Sequence, residues 1–153
     1  MPEGTIALFH DDRMLAHEPD VDVPFLPGRL DRRIREILAG LNAQWKYPEH
    51  PGRLRAVMAL LESHPIPALS KEAGRPATRE ELGRVHTTHY LDFIEDLRDT
   101  NAWLDVDTTA VSEGSVLAAE VAAGPALAAV EAVVAKRYRH AFALVRPPGH
   151  HAE

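Results

Sequence analysis

Cysteine is absent from this chain of 153 residues. Its absence excludes disulfides, thiolate zinc sites and cysteine nucleophiles within these residues, and it is compatible with a cytoplasmic location. Basic residues are outnumbered, since 17 Lys and Arg stand against 23 Asp and Glu and leave a formal charge of -6. A chain with this charge is poorly suited to hold a phosphate backbone, so we expect no direct nucleic-acid binding.

The sequence also lacks the marks of a membrane or secreted protein. We identify no apolar run of membrane-spanning length, and we therefore expect no integral membrane protein. Residues 1–4 show no basic region followed by an apolar stretch, so no secretory signal is predicted. Hydrophobic residues at 45% and charged residues at 26% are typical of a globular protein, and the length is sufficient for one domain and too short for two ordinary ones.

Apolar patterns in the first two thirds of the chain predict alternating strands and helices. The run at residues 5–9 predicts a buried strand, and apolar residues at helical spacing predict helices over 30–41 and from Leu54 to just before Pro65. Thr78 with Glu81 three residues later predicts a capping box, and a further helix is predicted to begin at Thr87 or Thr88.

The last third of the chain predicts a long helix followed by a strand. A polar loop is predicted over residues 100–112, and an alanine-rich helix after it, in which Gly124-Pro125 predicts either a kink or two abutting helices. Ala141 to Val145 is apolar on both faces, which is typical of an interior parallel strand. Helices between strands predict an α/β domain with an open, mostly parallel sheet.

Two consecutive histidines follow this last strand in the segment Arg146-Pro147-Pro148-Gly149-His150-His151-Ala152. Ligands of open α/β sheets bind outside the carboxyl ends of the strands, so this segment is a candidate site. The prolines and the glycine restrict the backbone that carries the histidines, and imidazole titrates near neutral pH, which suits acid-base catalysis. The alternative is a surface turn with two solvated histidines.

Three stretches together resemble the zinc-dependent histone deacetylase superfamily, which includes the acetylpolyamine amidohydrolases. The tandem-histidine segment resembles the superfamily's signature. Residues 47–54 resemble the entry to its first long helix, with Tyr47 where the family usually has His, and residues 85–91 resemble its Val-His-Thr-x-x-Tyr-Leu segment. The resemblance implies that residues 1–153 are the N-terminal part of a single arginase/deacetylase-like α/β domain, and it implies a zinc-dependent amidohydrolase activity.

The resemblance also implies roles for the two histidines and for the glycine before them. His151 corresponds to the general base that later protonates the leaving amine, and His150 corresponds to its partner. The backbone of Gly149 corresponds to a part of the channel that holds the acylated amine.

Substrate and product contacts are implied for three further residues. Arg53 corresponds to an arginine behind the metal, near an internal cavity for acetate, although it could also be an ordinary surface arginine. An acidic residue of the family binds the substrate at the pocket rim, and here Asp105 and Asp107 are both candidates. A solvated loop carboxylate is the alternative for either.

The cofactor implied by the resemblance is zinc, but its ligands are expected downstream of Glu153 and not in this chain. The other histidines are expected to be structural or exposed. We expect structural roles for His10, His86 and His89, with metal ligation by the last two as the alternative, and surface positions for His17, His64 and His140.

Two functional classes remain open from the sequence. The first is an amidohydrolase that removes an acyl group from acetyl-lysine, from an acetylated polyamine or from another small amine, with this chain supplying the acid-base pair. The second is a non-catalytic fragment or partner module without its own zinc site. A complementary chain or a homo-oligomer is a further expected partner.

Overall fold

The computed structural model describes residues 5–18, 50–104 and 109–149. The predicted helix over 30–41 lies outside these residues. The described elements are, in chain order, strand β1 (Ile6–His10), a 3-10 helix (Asp12–Ala16), α1 (Gly52–Ser63), β2 (Leu69–Ala73), α2 (Arg79–Leu82), α3 (Thr88–Asp96), β3 (Ala102–Trp103), β4 (Ala110–Val111), α4 (Ser115–Val134) and β5 (His140–Ala143).

A parallel sheet in the order β2-β1-β5 organises the described residues. Ile6 pairs with Leu69 on one side and with His140 on the other, and all three strands run in the same direction. The carboxyl ends of the three strands therefore meet at one edge of the sheet. The α/β fold with an open parallel sheet, predicted from the sequence, is confirmed.

The local helix signals in the sequence are confirmed in detail. Thr78 caps α2, accepting a hydrogen bond from the backbone N–H of Glu81, whose carboxylate accepts one from the N–H of Thr78. Thr87 caps α3 in the same way through the N–H of Tyr90, and α1 ends at Ser63, two residues before Pro65. Each signal acts within a few residues and needs no tertiary contact.

Strand β2 was missed by the sequence analysis, which identified only the strands near Ile6 and Phe142. Its residues, Leu-Ser-Lys-Glu-Ala, carry little of the apolar and β-branched character typical of strands. Its register with all five residues of β1 defines it as a strand. Among the described residues it pairs with β1 alone and exposes the side chain of Lys71, which suits the border of a sheet.

The region predicted as a polar loop contains a short antiparallel pair instead. Ala102 pairs with Val111 and Trp103 with Ala110, and the N–H of Leu104 donates to the carbonyl of Thr109 at 2.8 Å. Two-residue strands leave too little hydrophobic alternation for the pattern to be visible in the sequence.

Helix α4 is continuous over Ser115–Val134, so the alternative of two abutting helices is wrong. The segment before α2 crosses it at the glycine and proline. The N–H of Ala77 donates to the carbonyl of Glu120 at 2.9 Å, and a Cβ on Gly124 would lie 1.6 Å from the backbone oxygen of Arg75. Gly124 is therefore required for a close approach between two backbone segments.

Helix α4 contradicts the expectation that the chain contains no apolar run of membrane-spanning length. It is long and apolar enough to meet the length and composition of a membrane span, with a mean hydropathy of 1.7 over its most apolar window. The core helix of a globular domain meets the same criteria. Here α4 packs on the sheet, where Ala129 and Ala132 contact Ala7 and Phe9 of β1.

Strand β5 is parallel, as predicted, but its predicted interior position is not found among the described residues. Within the described ranges it pairs with β1 alone, and Phe142 is 57% exposed, although Leu8, its partner in the register, is buried. Burial on both faces depends on neighbours that cover the strand, and periodicity alone does not show which neighbours are present.

Candidate functional site

The carboxyl-terminal edge of the sheet carries the loop that leaves β5. The N–H of Leu144 donates to the carbonyl of Phe9 at 2.9 Å, and the carbonyl of Leu144 lies 2.9 Å from Nδ1 of His10. The loop is thus bound to the end of β1 before it reaches the Pro-Pro-Gly segment. The described residues place Pro147, Pro148 and Gly149 at the edge where open parallel sheets bind ligands.

Gly149 adopts a φ of 77°, and a Cβ built on it would meet nothing within 4 Å. The predicted need for a glycine is therefore conformational, since few other residues adopt this backbone without strain. His150 and His151 follow directly in the chain and lie outside the described residues, as do Asp105 and Asp107. The pair of strands β3 and β4 flanks the two aspartates in the sequence.

A largely apolar groove of about 490 Å³ extends from this loop between α3 and α4. Pro147, Pro148 and Gly149 line one end. Glu95 and Glu120 also line it, and both accept hydrogen bonds from Arg98, which thereby joins α3 to α4. The groove therefore lies next to the candidate site, and an ion pair connects the two helices that form its sides.

Arg53, the candidate for the acetate cavity, lies on α1. It occupies the first turn of α1, where its N–H donates to the carbonyl of His50, and its side chain is exposed. The described structure does not bring Arg53 into the groove. Its implied role near an acetate cavity stays a prediction.

The histidines outside the tandem pair differ in their surroundings. His64 and His140 are exposed, as predicted, and His89 is exposed as well. His86 stacks on the ring of Tyr90, with the ring centroids 4.9 Å apart. His10 is partly buried as a residue, and its side-chain Nε2 is buried without a hydrogen bond, although it lies 3.3 Å from Oδ1 of Asp12.

His17 was predicted to be exposed, and this prediction is wrong, because only 4% of the residue is accessible to solvent. Its Nδ1 lies 2.6 Å from Oγ of Ser115, at the first residue of α4. Burial, together with the positive charge of Arg146, lowers the pKa of His17 to about 4. The fold therefore holds a neutral imidazole at this position at pH 7.

Arg146 is the residue of the signature segment to which the sequence analysis assigned no role. It is 1% exposed, its N–H contacts Sδ of Met14 at 3.3 Å, and its guanidinium donates to the carbonyls of Met14 and His17. No pattern in the sequence distinguishes this arginine from a solvated one. Its contacts span more than 125 residues of chain and depend on the fold.

The low pKa of His17 predicts a loss of stability in mild acid. Below pH 6.5 the unfolded chain takes up a proton on this histidine, whereas the folded protein does so only near pH 4. The free energy of unfolding should therefore fall as the pH decreases from 6.5 to 4, by at most about 3 kcal/mol from this group. Urea denaturation at several pH values measures the change.

A matched pair of variants isolates the contribution of His17. His17→Gln should flatten the pH dependence between 6.5 and 4, and His64→Gln, which changes an exposed histidine, should leave it as in the unmodified protein. Parallel pH profiles for His17→Gln and the unmodified protein would show that His17 is not held neutral by the fold.

Whether the described residues could hold a zinc ion depends on how many donor side chains lie close together. Among residues 5–18, 50–104 and 109–149, no group of three or more His, Asp or Glu side chains is arranged to hold a metal ion. The described residues therefore do not fit a zinc site. His86 and His89, the alternative metal ligands, form no such group within these ranges.

The proteins that this chain resembles are named as histone deacetylases or as a histone deacetylase-like amidohydrolase. Residues 47–153 match the model of the histone deacetylase domain. The whole chain is 32% identical to histone deacetylase 8 of Arabidopsis thaliana and covers 39% of that protein. Over 69% of the chain, the identity to the histone deacetylase-like amidohydrolase of Pseudomonas aeruginosa is 36%, covering 28% of that protein.

A solved structure is similar to nearly the whole of this chain. The HDA15 HD domain matches 97% of this chain and 37% of its own length, with 30% sequence identity and a TM-score of 0.75. The chain thus spans about two fifths, or less, of the relatives it matches. The matched part includes the strand and the tandem-histidine segment after it.

Proposed function

Because this chain belongs to the histone deacetylase family, we propose that it supplies the acid-base part of a deacetylase active site. The reaction is hydrolysis of an acylated amine, either acetyl-lysine or an acetylated polyamine or similar small amine. The observation that carries the proposal is the match over residues 47–153, which includes both histidines of the segment that follows β5 in the sequence.

In this proposal His151 moves the proton of the reaction. It accepts a proton from the water that attacks the amide carbonyl, and it donates a proton to the nitrogen as the carbon–nitrogen bond breaks, which releases acetate and a free amine. His150 stabilises the charge of the pair. A positioned base of this kind contributes a rate factor of about 10² to 10⁴.

The remaining residues bind the substrate and the product. The backbone of Gly149, at one end of the groove, lines the channel for the acylated side chain. Asp105 or Asp107 holds the amine or the backbone of the substrate at the rim, and Arg53 faces the acetate that is released. The zinc ion that the family resemblance implies is held by residues other than the described ones.

An assay of the full-length protein tests the proposal. Purified protein is incubated with an acetylated lysine peptide and, separately, with an acetylated polyamine, and the release of acetate is measured. Turnover of either substrate above the rate without enzyme is expected, and the preferred substrate identifies the amine class. No release from either substrate by metal-loaded protein would overturn the proposal.

Residues 1–153 alone are expected neither to bind zinc tightly nor to hydrolyse an acetylated lysine peptide. A catalytic zinc site takes three protein ligands, and the resemblance places an Asp-x-His pair and a later Asp on a downstream segment. Metal analysis and an amide-hydrolysis assay of the isolated, mass-verified chain check this. One tightly held zinc per chain together with turnover would assign a metal site to His10, His86 or His89.

A further inference from the structure

A buried cation lies at the start of the tandem-histidine segment. The guanidinium of Arg146 donates to the carbonyls of Met14 and His17, and both belong to the segment that follows β1. Burial of a charged group is unfavourable unless its hydrogen bonds are satisfied, so Arg146 is restricted to positions where these carbonyls are available. The contact thus fixes the backbone at residue 146 relative to the segment after β1.

The carbonyl of His17 is itself held by the start of α4. Nδ1 of His17 lies 2.6 Å from Oγ of Ser115, and this oxygen accepts a hydrogen bond from the N–H of Ser112 at 2.6 Å. The N–H of Glu18 donates to Oγ of Ser112 at 3.1 Å. The segment that receives Arg146 is therefore bound to the N-terminus of the longest described helix.

The path from Arg146 to the histidines is short, and its first two residues are conformationally restricted. Three residues, Pro147, Pro148 and Gly149, separate Arg146 from His150, and two of them have a φ fixed by the proline ring. A displacement of the backbone at residue 146 therefore changes the direction in which the chain enters Gly149 and His150. Misplacement of a catalytic group by about 1 Å can lower a rate by about 10².

We propose that Arg146, His17 and Ser115 form a positioning assembly, which holds the tandem-histidine segment in the orientation that proton transfer requires. The proposal rests on the proposed function, because it assigns the purpose of the assembly through His150 and His151. None of the three residues touches the substrate in this proposal. Their effect should therefore appear in kcat, with KM nearly unchanged.

The decisive variant is Arg146→Met in the full-length protein. Met has a similar volume, but it leaves the carbonyls of Met14 and His17 without this donor, so some loss of stability is expected and activity is measured where circular dichroism shows the variant to be folded. In the folded variant we expect kcat to fall by about 10- to 100-fold, with KM within about twofold. Arg137→Met, which changes an exposed arginine before β5, is the matched control and should retain the kcat of the unmodified protein.

Two further variants test whether the residues act as one assembly. Ser115→Ala should lower kcat less than Arg146→Met, and the double variant should lose less than the product of the two single effects, because contacting residues are not additive. If Arg146→Met fails to fold, Arg146→Lys replaces it, since it keeps the charge and loses the planar fork of donors. Normal kcat in a folded Arg146 variant would overturn the proposal.

A spectroscopic measurement separates this proposal from the proposed function. The ring nitrogen signals of His150 and His151 are recorded by nitrogen-15 NMR of the folded full-length protein with labelled histidine. They should shift in Arg146→Met and stay in place in Arg137→Met. If the unmodified protein shows no turnover, the proposed function fails, and the shifts still decide the positioning role. Unshifted ring signals in Arg146→Met would overturn it.

Discussion

Replacing His151 by alanine in the full-length protein is expected to lower kcat by about 10² to 10⁴ while leaving zinc bound. The expectation follows from the proposed role, in which His151 transfers protons and is not a metal ligand. His150→Ala should also lower kcat, by a smaller factor. Steady-state kinetics on an acetylated substrate, with metal analysis of the same sample, measures both effects.

The control for this experiment is His64→Ala. His64 is exposed at the end of α1, and its loss should leave kcat unchanged. A His151→Ala variant with nearly normal kcat would remove the assigned role. A variant that loses its zinc would instead identify His151 as a ligand.

Replacing Gly124 by alanine is expected to lower the free energy of unfolding by about 3 kcal/mol or more. The added Cβ would lie 1.6 Å from the backbone oxygen of Arg75, so either α4 or the segment before α2 must move. Helix propensity predicts the opposite sign, a gain of about 1 kcal/mol for alanine within a helix. The sign of the measured change therefore separates the two effects.

Gly83→Ala is the matched control. Gly83 follows α2 with a φ of -65°, and a Cβ there would lie 3.2 Å from the carbonyl oxygen of Arg79, which a small shift accommodates. Its effect should stay within about 1 kcal/mol. Urea denaturation followed by circular dichroism measures both variants, and unchanged or higher stability of Gly124→Ala would contradict the close approach.

The site was predictable where its signals are local. The stretch from Arg146 to His151 identifies the candidate segment because its prolines, glycine and histidines are adjacent in the chain. Gly149 has the left-handed backbone that its sequence context predicts. In contrast, His17 was placed on the surface although the fold buries it, because its partner Ser115 lies 98 residues away.

The same distinction separates the elements of the fold. Sequence by itself determined the capped starts of α2 and α3, the end of α1 and the strand–helix alternation of an α/β protein. These features depend on propensities and hydrogen bonds within a few residues. Only the tertiary structure decided that Leu69–Ala73 is a strand, that α4 continues through Pro125 and that Arg146 and His17 are buried together. Each of these depends on contacts between distant segments, where pairing and packing outweigh local preference.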